Sequence, residues 1–211
     1  PSLNTLLSMS TLLNPTSGAF KSLTKIRAYF SARFFRFLDK RNPSSSFHKL
    51  NTKNLYIFPG KRGFIFLGFV VVLWMLGTNY QNNLILGLSF LLISIFIVSI
   101  LHTYANLAGL EIQVKGAANA HAGEVVEFYI GIHNPRKAPC DGLALRWQES
   151  TLDDARVQLE SFSTTQAHVP IAATKRGVLT PKRLLVESEF PLGLLRCWTW
   201  LSFDASALVY P

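Results

Sequence analysis

From Gly63 to Leu110 the chain carries no Asp, Glu, Lys or Arg, a run of 48 uncharged residues. Helices and strands that face water on one side carry polar residues at their own period, so a soluble core of this length would be interrupted by charge. The run predicts membrane-spanning structure. It divides into an apolar stretch from Gly63 to about Gly77, a polar turn from Thr78 to Asn83, and a second apolar stretch from Leu84 to Leu101. A bilayer core of about 30 Å takes about 20 helical residues. Two transmembrane helices over 63–80 and 84–102, forming a hairpin over 63–102, fit that length. A single helix through the whole stretch would leave Asn79, Gln81, Asn82 and Asn83 in mid-membrane. Asn79, Tyr80, Asn82 and Asn83 are therefore the residues of interest at the hairpin turn. Their amides suit helix capping, and Tyr80 with Trp74 suits an interfacial aromatic belt.

Charge sets the expected orientation. Residues 1–62 hold eleven Lys/Arg and one acid, Asp39; residues 63–211 hold ten Lys/Arg and eleven acids. The net charge of +9 thus belongs to the leader. Basic residues before the first span and none in the turn predict a cytosolic N-terminus, an external turn, and a return of residues 103–211 to the cytosol. Residues 1–19 read as disordered. Residues 20–41 read as a basic amphipathic helix, with Leu23, Ile26, Phe30, Phe34, Phe37 and Leu38 at three- and four-residue steps. Lys21, Lys25, Arg33, Arg36 and Lys40, with Lys61 and Arg62 just before the span, are the expected membrane-surface cations. Their position favours an anionic lipid surface over nucleic acid, so no nucleic-acid partner is expected. Residues 42–62 read as a linker, broken at Asn42-Pro43-Ser44-Ser45-Ser46 and Pro59-Gly60. The chain starts on Pro1 and stops at Val209-Tyr210-Pro211, and both ends read as cut.

Residues 108–211 read as a β module. Val126, Phe128, Ile130 and Ile132 alternate with Glu127 and Tyr129, and Leu143, Leu145 and Trp147 alternate with Ala144 and Arg146. Further strand-like runs lie at 111–114, 156–160, 167–172, 184–189, 195–201 and 206–210. Short strands at this spacing predict an all-β, sandwich-like (Ig-like) module. Phe190-Pro191-Leu192-Gly193-Leu194 reads as a turn between strands that could also dock a partner. Lys175-Arg176-Gly177 and Lys182-Arg183 read as a basic patch or a charged sheet edge. Cys140 and Cys197 form no metal or redox spacing and are expected as reduced thiols. The five histidines have no ligand spacing, and no phosphate loop or nucleophile elbow occurs, so no cofactor, metal or catalytic residue is expected.

The order of parts resembles a known family. A basic leader, Ile57-Phe58-Pro59, the hairpin turn Asn79-Tyr80-Gln81-Asn82-Asn83-Leu84, Lys175-Arg176-Gly177 and Phe190-Pro191-Leu192-Gly193-Leu194 followed by Arg196, Trp198 and Trp200 are similar to the N-terminal part of bacterial domain-of-unknown-function-58 proteins. Many of these are encoded beside MoxR-type AAA+ ATPases. The likeness covers about residues 55–211. In that family a von Willebrand factor type A-like domain follows the Val-Tyr-Pro segment, beyond Pro211 of this sequence. The resemblance implies work with the ATPase in assembling other proteins. The reading is a non-catalytic scaffold in the bacterial inner membrane whose cytosolic β module meets an AAA+ ATPase. The alternatives are the anchor of an enzyme or metal-binding protein whose active domain lies beyond residue 211, and a membrane sensor that reads a ligand at the hairpin turn.

Overall fold

The structure, a computed structural model, describes residues 45–51 and 54–211. The leader expected at 1–19 and the basic helix expected at 20–41, with Lys21, Lys25, Arg33, Arg36 and Lys40, lie outside the described residues.

Two long helices form the expected hairpin: α1, Lys61–Asn79, and α2, Asn83–Leu107. Both are long and apolar enough to cross a membrane. Their outer surfaces are bare hydrocarbon: Ile65 is 73% exposed, Leu84 85% and Leu101 64%. On α1 the buried residues are Gly63, Val70 and Gly77, seven apart, which is the spacing of an antiparallel helix seam. Gly77 lets the backbones close, since a Cβ there would lie 2.9 Å from the Leu86 amide nitrogen. Farther down the seam Phe66 stacks on Phe96 at 6.0 Å.

The remaining elements are strands: β1 (Phe47–Lys49), β2 (Tyr56–Pro59), β3 (Glu111–Ala117), β4 (Ala120–His121), β5 (Val125–His133), β6 (Cys140–Trp147), β7 (Ala155–Leu159), β8 (Thr164–Ala172), β9 (Gly177–Leu179), β10 (Leu184–Ser188), β11 (Leu195–Leu201) and β12 (Ala207–Tyr210). They make a sheet of order β1-β3-β5-β8, a second of order β2-β11-β10-β6-β7, and a small third, β4-β12-β9. The two larger sheets are antiparallel throughout. Their apolar faces share one core: Phe128 from β5 meets Trp147 from β6 edge-on at 5.2 Å, and both are fully buried. The alternation that marks β5 in the sequence is the alternation of burial, with Val126, Phe128, Ile130 and Ile132 inside.

The segment 42–62 differs from its reading as a linker. Its β1 pairs with β3 and its β2 with β11, so chain that precedes the hairpin completes sheets built from chain that follows it. His48 on β1 is buried: its Nε2 lies 2.8 Å from the Ser202 carbonyl and its ring is edge-on to Phe203. Helix α2 also runs past the expected end at 102. Its last turn enters the β module, where Thr103, Asn106 and Leu107 are buried.

Candidate functional site

The residues singled out above fall into three places: the hairpin turn, the junction between hairpin and sheets, and the outer face of the second sheet.

At the hairpin turn the backbone closes α1. The Tyr80 amide reaches the Leu76 carbonyl at 2.9 Å, the Asn82 amide reaches the Gly77 carbonyl at 3.0 Å, and Gln81 takes the left-handed conformation at φ 49°. Asn82 opens α2, its Oδ1 accepting from the amides of Leu84 at 3.0 Å and Ile85 at 3.4 Å. Capping by the turn amides, expected of all of them, therefore falls to Asn82; Asn79 is the last residue of α1 and Asn83 the first of α2. Tyr80 is 71% exposed. Asn82→Ala is expected to cost about 1 kcal/mol of helix-end stability. Faster amide exchange confined to Leu84 and Ile85 is the result that checks it.

The junction is where most of the specific geometry lies. Only Gly60 separates β2 from α1, and its amide donates to the Leu194 carbonyl at 2.9 Å. Gly63, one turn later, has no room for a side chain: a Cβ would overlap the same carbonyl oxygen and lie 3.2 Å from Pro59 Cβ. The turn Phe190 to Leu194, which joins β10 to β11, is thus packed against the start of α1. It carries a cis Phe190–Pro191 bond, and Gly193 sits at φ 66° with its amide on the Glu189 carbonyl at 2.8 Å. Lys61 and Arg62, both exposed, begin α1 without an acidic residue or a capping side chain. Cations at a helix N-terminus oppose the helix dipole by about 0.3–1 kcal/mol, so their placement is not explained by helix stability.

The far end of α2 is tied down more firmly. Arg136, from the β5–β6 loop, donates to the carbonyls of Ala105, of Asn106 at 2.9 Å and of Ala108 at 2.8 Å. Asn134 Oδ1 holds its Nε at 2.9 Å. A cation on the last carbonyls satisfies orphan acceptors and complements the dipole. Asn106 is itself a buried plug: its Nδ2 donates to the Asp141 carbonyl at 2.8 Å and to Ser188 Oγ at 2.9 Å, and its Oδ1 accepts from the Asp141 amide at 3.2 Å. Neither Asn106 nor Arg136 stands out in the sequence. The one signal is that Asn106 is a polar residue closing an apolar run.

On the outer face of the second sheet, Tyr56 and Trp198 are 5.1 Å apart between ring centres. Arg196 pairs with Glu187 beside them. A cleft of about 300 Å³ follows, lined by Asp154, Arg156, Glu187, Glu189 and Phe190 among others. Of the basic pairs, Lys182 bonds Glu149 and Arg183 bonds Gln148 at 3.4 Å, while Lys175 and Arg176 are exposed.

Among the described residues no group of three His, Cys, Asp or Glu could hold a metal ion. The histidines are dispersed: His133 meets Thr164, His168 meets Glu127 and His121 meets the Pro211 carbonyl. Cys140 and Cys197 are free, fully buried thiols. Burial, the larger cause, pushes Cys140 up to about 11 against a smaller opposing pull from Arg136; burial alone pushes Cys197 up to about 12. Such thiols stay protonated and shielded. The folded protein at pH 7.5 is expected to resist maleimide and the urea-unfolded protein to take two labels, read by mass spectrometry. Because the folded values are raised, the thiols' contribution to stability is intact below the unfolded thiol range and falls as pH climbs from about 9 toward 11 and 12.

The chain matches no family model, no curated protein and no solved structure.

Proposed function

We propose that this chain is a non-catalytic scaffold anchored in a bacterial inner membrane by the α1–α2 hairpin. Its Ig-like β module faces the cytosol and is offered to a protein partner. One observation carries the topology. Strands β1 and β2 precede the hairpin and pair with β3 and β11, which follow it. Strands of one sheet lie on one side of a bilayer, so helices that cross it must cross as a pair. Lys61 and Arg62 at the mouth of α1, and the absence of Lys or Arg from the turn, favour the cytosolic side for the module. The hydrocarbon exposed around both helices supports burial in lipid, since at about 25 cal/mol per Å² it would be costly in water.

Rigid coupling supports the scaffold reading. Arg136, Asn106, Gly60 and Gly63 fix both helix ends to the sheets, so the module is held at a set angle to the membrane. The resemblance to domain-of-unknown-function-58 proteins points to a MoxR-type AAA+ ATPase, or its client, as partner. The part of the outer-face cleft lined by Asp154, Arg156 and Glu187 is the surface offered for such contact.

Topology is tested with an exposed cysteine, Asp153→Cys, because the native thiols are buried. A membrane-impermeant maleimide should leave intact cells unlabelled and label permeabilised ones. Labelling of intact cells would place the module outside and remove the ATPase from consideration. If the side is right, a tagged chain co-expressed with a MoxR-type ATPase should retain it in detergent, and Arg156→Glu should weaken that retention several-fold. No retention by a folded wild-type chain would leave the anchor and discard the partner.

A further inference from the structure

We infer that the turn Phe190-Pro191-Leu192 is a second membrane attachment, inserted into the acyl region of the same leaflet that the module faces. The inference rests on the reading that the hairpin crosses a bilayer.

Three consecutive apolar residues are displayed at the turn, with Phe190 39% and Leu192 52% exposed and Pro191 exposed between them. Charge is confined to its flanks, at Glu189 and Arg196. The tip lies alongside α2. Pro191 and Leu192, with Ser94, Ile95, Val98, Ser99 and His102, enclose a cleft of about 290 Å³ whose exposed wall is apolar.

The depth of this cleft follows from the helix. Past His102 the β module covers Thr103, Asn106 and Leu107 and leaves Ala105 exposed, so the continuous apolar surface of α2 that is available to lipid ends near His102. At 1.5 Å per residue, the cleft wall from Ser94 to His102 extends about 12 Å along the helix from that point. The tip therefore lies along the Ser94–His102 stretch of α2, on the hydrocarbon side of the point where the module begins. Above it the chemistry suits the headgroups. Lys61 and Arg62 are exposed at the start of α1, and Arg62 Nη1 comes within 3.4 Å of the Cβ position of Gly193. An apolar tip beneath a cationic rim is the arrangement of an interfacial anchor. A lipid acyl chain suits the cleft, because its wall includes Ile95 and Val98, which are 40% and 51% exposed on the surface of α2.

The test uses the full chain in vesicles of phosphatidylethanolamine and phosphatidylglycerol. An environment-sensitive NBD label is placed at Leu192→Cys, and separately at Phe190→Cys in case substitution of Leu192 disturbs the turn. The buried native thiols do not compete for it. Ile97→Cys on α2 and Asp153→Cys in the β6–β7 loop serve as lipid and water references. Quenching by lipids spin-labelled near the headgroup should be several-fold stronger at 190 or 192 than at 153, with iodide quenching reduced to match. Iodide quenching at both turn sites equal to that at 153, with the label at 97 in lipid, would overturn the insertion and leave the hairpin standing. Aqueous behaviour at 97 as well would overturn the hairpin reading together with it.

Discussion

Gly63→Ala is expected to lower the thermal midpoint of the detergent-solubilised protein by roughly 6–12 °C, corresponding to about 3 kcal/mol. The new methyl group would overlap the Leu194 carbonyl oxygen and crowd Pro59 Cβ at 3.2 Å. Those atoms are backbone and a ring, so no side chain can swing aside. Either the β10–β11 turn lifts off α1, breaking the Gly60 amide bond to Leu194, or the helix start shifts. Gly68→Ala, on the same helix, is the control. A Cβ there meets nothing within 4 Å, and Ala is the better helix former by about 1 kcal/mol, so that variant should melt with the wild type or slightly above it. Equal midpoints for the two variants would mean that the close approach at Gly63 is wrong.

Asn106→Leu is expected to have the second-largest effect, a loss of about 2–3 kcal/mol. Leucine is close in volume, so little cavity forms. The cost comes from the Asp141 amide, left without its acceptor in a buried site, and from the Asp141 carbonyl and Ser188 Oγ, which each lose a donor. Ser188 Oγ still donates to the Asp141 carbonyl at 3.1 Å, which limits the loss. The Asp141 amide and the last turn of α2 should exchange with deuterium much faster, while the amides of β5 stay protected. Unchanged protection at Asp141 would show that α2 is held by Arg136 alone.

What the sequence displayed and what it hid separate along physical lines. The hairpin was legible because charge is excluded from all of it beyond Lys61 and Arg62. The alternating strands β5, β6 and β11 were legible because one face of each is buried. The strands at 47–49 and 56–59 were not, being three and four residues long with the second ending on Pro59, too short to show a period. Their partners lie beyond the hairpin, and no local pattern reports such pairing. The sequence marks the end of the apolar span at 102 but not the end of α2, which continues to Leu107 because polar Thr103 and Asn106 are buried in the β module. The Phe190–Leu194 turn was legible as a turn from its Pro and Gly. Its seat against Gly60, Gly63 and α2 was not, since it depends on a corner built from opposite ends of the sequence. Arg136 was one cation among many until the helix end it caps was in place.

The pairing of β1 and β2 with β3 and β11 also fixes an order of events during synthesis. β2 leaves the ribosome well over a hundred residues before the strand it must join. Until then β2 has no β11 to pair with, while α1 and α2 are synthesised behind it. The second sheet closes only when β11 arrives. If the hairpin crosses a bilayer as proposed, a chain that threaded only one helix would leave β2 and β11 on opposite faces with that sheet open. On the proposed topology, closure of the second sheet therefore requires that both helices have crossed together.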